Sequence, residues 1–116
     1  MKTRNGFVSN SSSTSFMITN LSNRELTVVD FVKENPDIVC LWNTEYKENV
    51  TQEQMIESAK ERVRTSYEVY CFAANKAQRY CFGDEDGDLI GQVFDYMLRD
   101  GGRSENFVWH FDKFLR

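Results

Sequence analysis

The stretch Tyr67-Glu68-Val69-Tyr70-Cys71-Phe72-Ala73-Ala74-Asn75-Lys76-Ala77-Gln78-Arg79-Tyr80-Cys81-Phe82 decides the fold class. Tyr67–Ala73 and Gln78–Phe82 are rich in aromatic and other strand-favouring residues, and Asn75-Lys76-Ala77 is turn-like. A hairpin centred on Lys76 pairs Cys71 with Cys81, Phe72 with Tyr80, and Tyr70 with Phe82. Side chains alternate along a strand, so Tyr70, Phe72, Tyr80 and Phe82 share one face. Val69, Cys71, Ala73 and Cys81 take the other.

Outward from this stretch, helices and strands are intermixed. Thr51 with Gln54 makes a capping box, and Met55, Ile56, Ala59 and Val63 follow at helical spacing, which predicts an amphipathic helix over 52–65. Ser22 with Glu25, or Thr27 with Asp30, opens an earlier helix lined by Leu26, Val29 and Val32. It ends before Asn35-Pro36, because proline disfavours helix at the preceding residue. The run Asp37–Trp42 is short and apolar, and periodicity leaves strand and helical turn both open. Asn43–Val50 reads as loop. Downstream, Asp86 or Asp88 caps a helix with Leu89, Ile90, Val93, Phe94, Met97 and Leu98 as its stripe, stopped by Gly101-Gly102. Ser15–Thr19 reads as a first strand, and Phe107, Trp109 and Phe111 alternate as a last one. The architecture expected is α+β: a two-layer sandwich with a mostly antiparallel sheet, a central hairpin and about three helices.

Length and composition agree. The chain has 116 residues, enough for one domain, with residues 1–14 a flexible or interaction arm. Nine Phe, five Tyr and two Trp can fill a core without disulfides or metals. The net charge is −4, which argues against a nucleic-acid backbone as partner. No run reaches the ~18 apolar residues of a membrane helix. Lys2 and Arg4 are followed by a Ser/Asn tract in place of an apolar run, so no secretory signal is expected. Three cysteines, Cys40, Cys71 and Cys81, suit reduced thiols in a cytoplasm better than a disulfide framework.

Five features carry candidate chemistry. Asp84, Asp86 and Asp88 alternate in an acidic loop with Asp95 beyond, as in a calcium loop. But Leu89 stands where that loop needs glycine, and Asp95 where it needs a bidentate Glu. A solvated turn feeding a helix N-terminus fits better. Cys71 and Cys81 read as small apolar residues more readily than as a redox pair. His110, the only histidine, points away from the Phe107/Trp109/Phe111 face and lacks an orienting group for catalysis with a cysteine. The aromatic face resembles a base-stacking platform, yet the helices need a sheet face to cover. The tract Ser11-Ser12-Ser13 lacks the glycines and lysine of a phosphate loop. No catalytic residue, metal ligand or cofactor is expected.

Arg4-Asn5-Gly6-Phe7-Val8-Ser9-Asn10-Ser11-Ser12-Ser13-Thr14-Ser15-Phe16 resembles the start of many small proteins of bacteriophages and some prokaryotes: a basic residue, Gly-Phe-Val-Ser-Asn, a serine run, then Phe. The resemblance implies a phage or prokaryotic origin and a cytoplasmic setting, and it implies no activity. The function expected is a small non-catalytic protein-binding module that occupies a host or defence protein. A structural role, as a homo-oligomer or virion component, is the alternative. The candidate binding residues are Asp84, Glu85, Asp86 and Asp88 in the acidic loop, and Phe7, Ser11, Ser12, Ser13 and Phe16 in the N-terminal arm.

Overall fold

The computed structural model describes residues 13–83 and 87–115, with side chains to Phe114. The element order is β1 (Ser13–Asn20), β2 (Leu26–Thr27), α1 (Val28–Glu34), α2 (Pro36–Tyr46), α3 (Gln52–Thr65), β3 (Cys71–Phe72), β4 (Ala77–Gly83), α4 (Leu89–Met97), β5 (Gly102–Arg103) and β6 (Phe107–Leu115). The fold is α+β. One antiparallel sheet has the strand order β4-β1-β6-β5, and β2 and β3 form a second, two-stranded ladder.

Local chemistry sets the helix starts. Thr27 and Asp30 form a complete capping box at α1, and Thr51 and Gln54 form another at α3, so two backbone donors are satisfied at each end. Ser22 is no cap. Its hydroxyl donates to Asn20 Oδ1 in the turn after β1. Asp88 caps α4 by accepting from the Gly91 N–H. Gly101 ends that region at φ +76°, and a Cβ on Gly102 would lie 2.4 Å from the Trp109 ring, so both glycines are demanded by geometry.

Two expectations change. Asp37–Trp42 is helical, and α2 runs on through Tyr46, giving four helices among the described residues where about three were expected. Pro36 sits in the first turn, where its missing N–H costs nothing. The central hairpin does not form. β3 pairs with β2, with Cys71 opposite Thr27, while β4 pairs with β1, with Cys81 opposite Ser15. Asn20, at the end of β1, holds the two segments apart. Its amide donates to the Phe72 carbonyl at 3.0 Å, and its backbone N–H donates to the Lys76 carbonyl at 3.0 Å. Residues 67–70 are turn rather than strand, with Tyr70 N–H donating to Ser66.

The aromatic core survives this rearrangement. Phe72 of β3 and Tyr80 of β4 meet at 4.6 Å, now across two sheets instead of within one, and Tyr70 in the turn before β3 lies 6.4 Å from Phe82. Phe31 of α1, outside the expected stripe, is the hub. Its ring packs edge-on to Phe94, Phe107 and Trp109 at 5.1–5.3 Å. Truncating it to Ala removes about 3–5 kcal/mol of packing. Phe16, Ile18, Tyr80, Phe82, Phe107 and Trp109 face this core together with the buried residues of all four helices. The opposite face of the sheet carries Met17, Arg79, Val108 and His110, none of them in the core.

Candidate interaction site at one end of the sheet

The register brings one row of helix-facing residues together at the end of the sheet. Thr14 of β1 lies between Phe82 of β4 and Phe114 of β6. Between Phe16, opposite Phe111, and Thr14, opposite Phe114, β6 carries one extra residue. That bulge is what keeps both Phe111 and Phe114 on the helix-facing side. Above the row, α4 places Asp95 over Thr14, and the Thr14 hydroxyl donates to its carboxylate. Asp95 is 1% exposed.

Arg99, one turn on, completes the group. Its Nε donates to the Asp95 carbonyl at 2.7 Å, and a terminal nitrogen reaches the carboxylate at 3.1 Å. The guanidinium stacks on Tyr96 at 4.6 Å and on Phe114 at 5.0 Å. Phe111 packs on the Phe114 ring at 4.9 Å. Phe114 still leaves 58% of itself exposed, second only to Leu41 among the described large apolar residues. A cation–π pair of this kind contributes about 0.5–2 kcal/mol. The arrangement presents an arginine head, locked in orientation, beside an open aromatic ring.

A second arginine occupies the same end. Arg62 of α3 holds Asp88 through two bonds of 2.7 Å and donates to the Tyr70 hydroxyl at 2.8 Å. It lies over the Tyr70 and Phe82 rings at 5.0 and 5.3 Å. This pair turns inward and ties α3 to the start of α4.

Three further polar groups lie elsewhere. Glu34 accepts from Ser104 and from the backbone and side-chain N–H groups of Asn106. Burial alone would raise its pKa, but these donors together hold it below the ordinary range. It borders a groove of about 280 Å³ with Arg24, Leu26, Asp30, Lys33 and Asn106, where cations and anions balance. The Cys71 thiol donates to Glu25 and is pushed up by burial first and by that carboxylate second, so it stays protonated and poorly nucleophilic at neutral pH. Neighbouring Tyr67 is pushed up to about 12 by its contact with Cys71, then by the Glu25 charge. On the other face of the sheet, Asp112 is held low by the Ser15 hydroxyl and, against a smaller effect of burial, by Arg79.

The sequence-expected residues fall as follows. Phe7, Ser11, Ser12, Asp84, Glu85 and Asp86 lie outside the described residues. Ser13 and Thr14 are strand, not arm, and Ser13 is half-buried. Phe16 is fully buried in the core, so its ring is not offered to a partner. Asp88 is occupied by Arg62 and the Gly91 N–H, and Asp95 by Thr14 and Arg99. Both carboxylates therefore serve the fold. Cys71 and Cys81 sit in different sheets as free thiols, and His110 is exposed. Among the described residues, no group of three His, Cys, Asp or Glu side chains is placed to hold a metal ion, and no helix is long and apolar enough to cross a membrane. The reading of the sequence missed Arg62, Arg99 and Phe114. Asp95 and Arg99 did carry a signal, since an acid four residues before a base on a helix forms a side-chain pair.

Comparisons with protein-family models, with curated proteins and with solved structures each return no match.

Proposed function

We propose that this chain is a small, non-catalytic protein-binding module of phage type that acts in the cytoplasm by occupying a host or defence protein. The observation that carries the reading is Arg99, fixed by buried Asp95 between Tyr96 and a Phe114 ring that is 58% exposed. Arginine and aromatic side chains dominate the energetic centres of protein interfaces. A side chain already held in one orientation loses little freedom on binding. The Gly-Phe-Val-Ser-Asn-Ser start supports the phage assignment by resemblance.

The test is photo-crosslinking in bacterial lysate. A crosslinking residue at position 114 should capture one dominant adduct, and one at Glu57, exposed on α3, should not. Adducts joining two copies of this chain at position 114 point instead to the assembly role. Equal labelling from both positions, or none at 114, sinks the reading.

A further inference from the structure

Among the described residues, the four helices cover one face of the sheet and none packs on the other. The register defines that bare face. Met17 has Arg79 on one side and His110 on the other. In the next row, Thr19 lies between Ala77 and Val108, and Val108 is followed by Arg103 on β5. Lys113 stands opposite Ser15. Arg79, Arg103, His110 and Lys113 are exposed, and Met17 and Val108 are half-exposed outside the core. Three cations and one anion, Asp112, therefore ring a small apolar centre, on a chain whose net charge is −4. Arg79 pairs with Asp112 at 3.0 Å yet keeps 56% of its side chain exposed.

We propose that this bare face, with Met17 and Val108 at its centre and Arg79, Arg103 and Lys113 around them, docks an acidic amphipathic helix of a partner protein. The inference rests on the reading of the chain as a protein-binding module, but it assigns a different face and a partner chemistry. Four strands span about 14 Å at ~4.8 Å per step, which accommodates one helix about 10 Å across. Arg79 and Arg103 lie on the two edge strands, where they can reach carboxylates on either flank of such a helix. Charge complementarity selects acidic flanks, and the Met17/Val108 strip selects an apolar stripe between them. Nucleic acid fits less well. The rows around Met17 and Val108 carry no Phe, Tyr or Trp ring and offer only the His110 imidazole for a base to stack on, whereas single-strand binders grip successive bases on several rings.

The probe is a synthetic helical peptide of about 18 residues, roughly five turns, with a leucine stripe flanked by glutamates. It is titrated into the isotope-labelled full chain and followed by amide chemical shifts. Shifts should concentrate at Met17, Thr19, Val108 and His110. The double variant Arg103→Glu with Lys113→Glu should keep its dispersed spectrum and bind roughly tenfold or more weakly, since like charges then face each other. A scrambled peptide of equal charge should bind measurably more weakly than the amphipathic one. The proposal is overturned by equal binding of the scrambled peptide, by stronger binding of a short oligothymidine, by shifts confined to Arg99 and Phe114, or by no shift. If it fails while crosslinks from position 114 persist, the protein-binding reading stands without this face. If those crosslinks fail while the shifts appear here, the module binds by its sheet and not by its end.

Discussion

At the start of α4, Arg62 grips Asp88 and lies over Tyr70 and Phe82. At the other end of the same helix, Arg99 grips Asp95 and lies over Tyr96 and Phe114. The parts are the same, but the burial is reversed. Arg62 is 7% exposed and Asp88 31%, whereas Asp95 is 1% exposed and Arg99 35%. In the first pair the cation is sunk among its rings and the acid caps a helix at the surface. In the second the acid is sunk and the cation is held out towards solvent. A buried ion must have a partner, so in each pair the more exposed residue is the one the fold cannot lose. At Arg99 that residue also lies against an exposed ring, Phe114.

The sharpest way to break this comparison is Asp88→Ala. It takes the counter-charge from Arg62 and the cap from α4, and should cost about 4 kcal/mol in urea unfolding. A loss under about 1 kcal/mol would mean that the pair is only ornamental packing. Arg99→Ala comes next, at about 3 kcal/mol, because it strips the guanidinium from a carboxylate that water does not reach. If Arg99→Ala unfolds at the wild-type urea midpoint, the Asp95 pair is not the mirror of the first.

Glu34 supplies a reference, an acid served by N–H and O–H donors in place of an arginine. Its folded pKa lies below its unfolded one, so its stabilisation is complete above the ordinary glutamate range. That stabilisation is lost as pH falls through the folded value. The wild type should lose this contribution on acidification, and Glu34→Gln should already lack it at neutral pH. Parallel stability–pH curves for the two proteins would refute this. The smallest expected change is Phe114→Ala. With most of its ring in water it should shift stability by less than about 1 kcal/mol. It should nonetheless abolish the crosslink otherwise captured from a photoreactive residue at exposed Asp100, next to Arg99. A large loss of stability would make Phe114 a core residue and remove it from the binding surface.

Much of the fold was legible locally. Thr51 and Gln54 bound α3 at the expected residue, and Asp88 and Gly101 bracket α4, because caps and stops act within a few residues. Alternation placed Tyr80, Phe82, Phe107 and Trp109 on the buried face correctly, since the period depends only on strand geometry. Neighbours were not legible. The same alternation that puts Phe72 and Tyr80 together is satisfied by a hairpin or by strands of two separate sheets, and Asn20, far away in sequence, bonds both segments in the second arrangement. Pro36 marks the end of α1 by its effect on the preceding residue, yet proline suits a first helical turn equally well, as it does in α2. Of the site, Asp88 was found in its role as a cap and Asp95 as an acid of note. Their arginines were not, because Arg62 lies on another helix and Arg99 matters through the Phe114 ring.

β1 sits in the middle of its sheet, with β4 on one side and β6 on the other. Residues 13–20 emerge from the ribosome well before residues 107–115, on which one whole side of this strand waits. Pairings so distant in the chain are slow to close, and an unpaired apolar strand is exposed to aggregation meanwhile. A nascent chain interrupted before β6 would carry Phe16 and Ile18 on a half-made sheet, without Phe107 and Trp109 to complete their layer. The folding of this sheet is therefore tied to the synthesis of β6, and it should depend more on chaperone shelter than a helical domain of the same size.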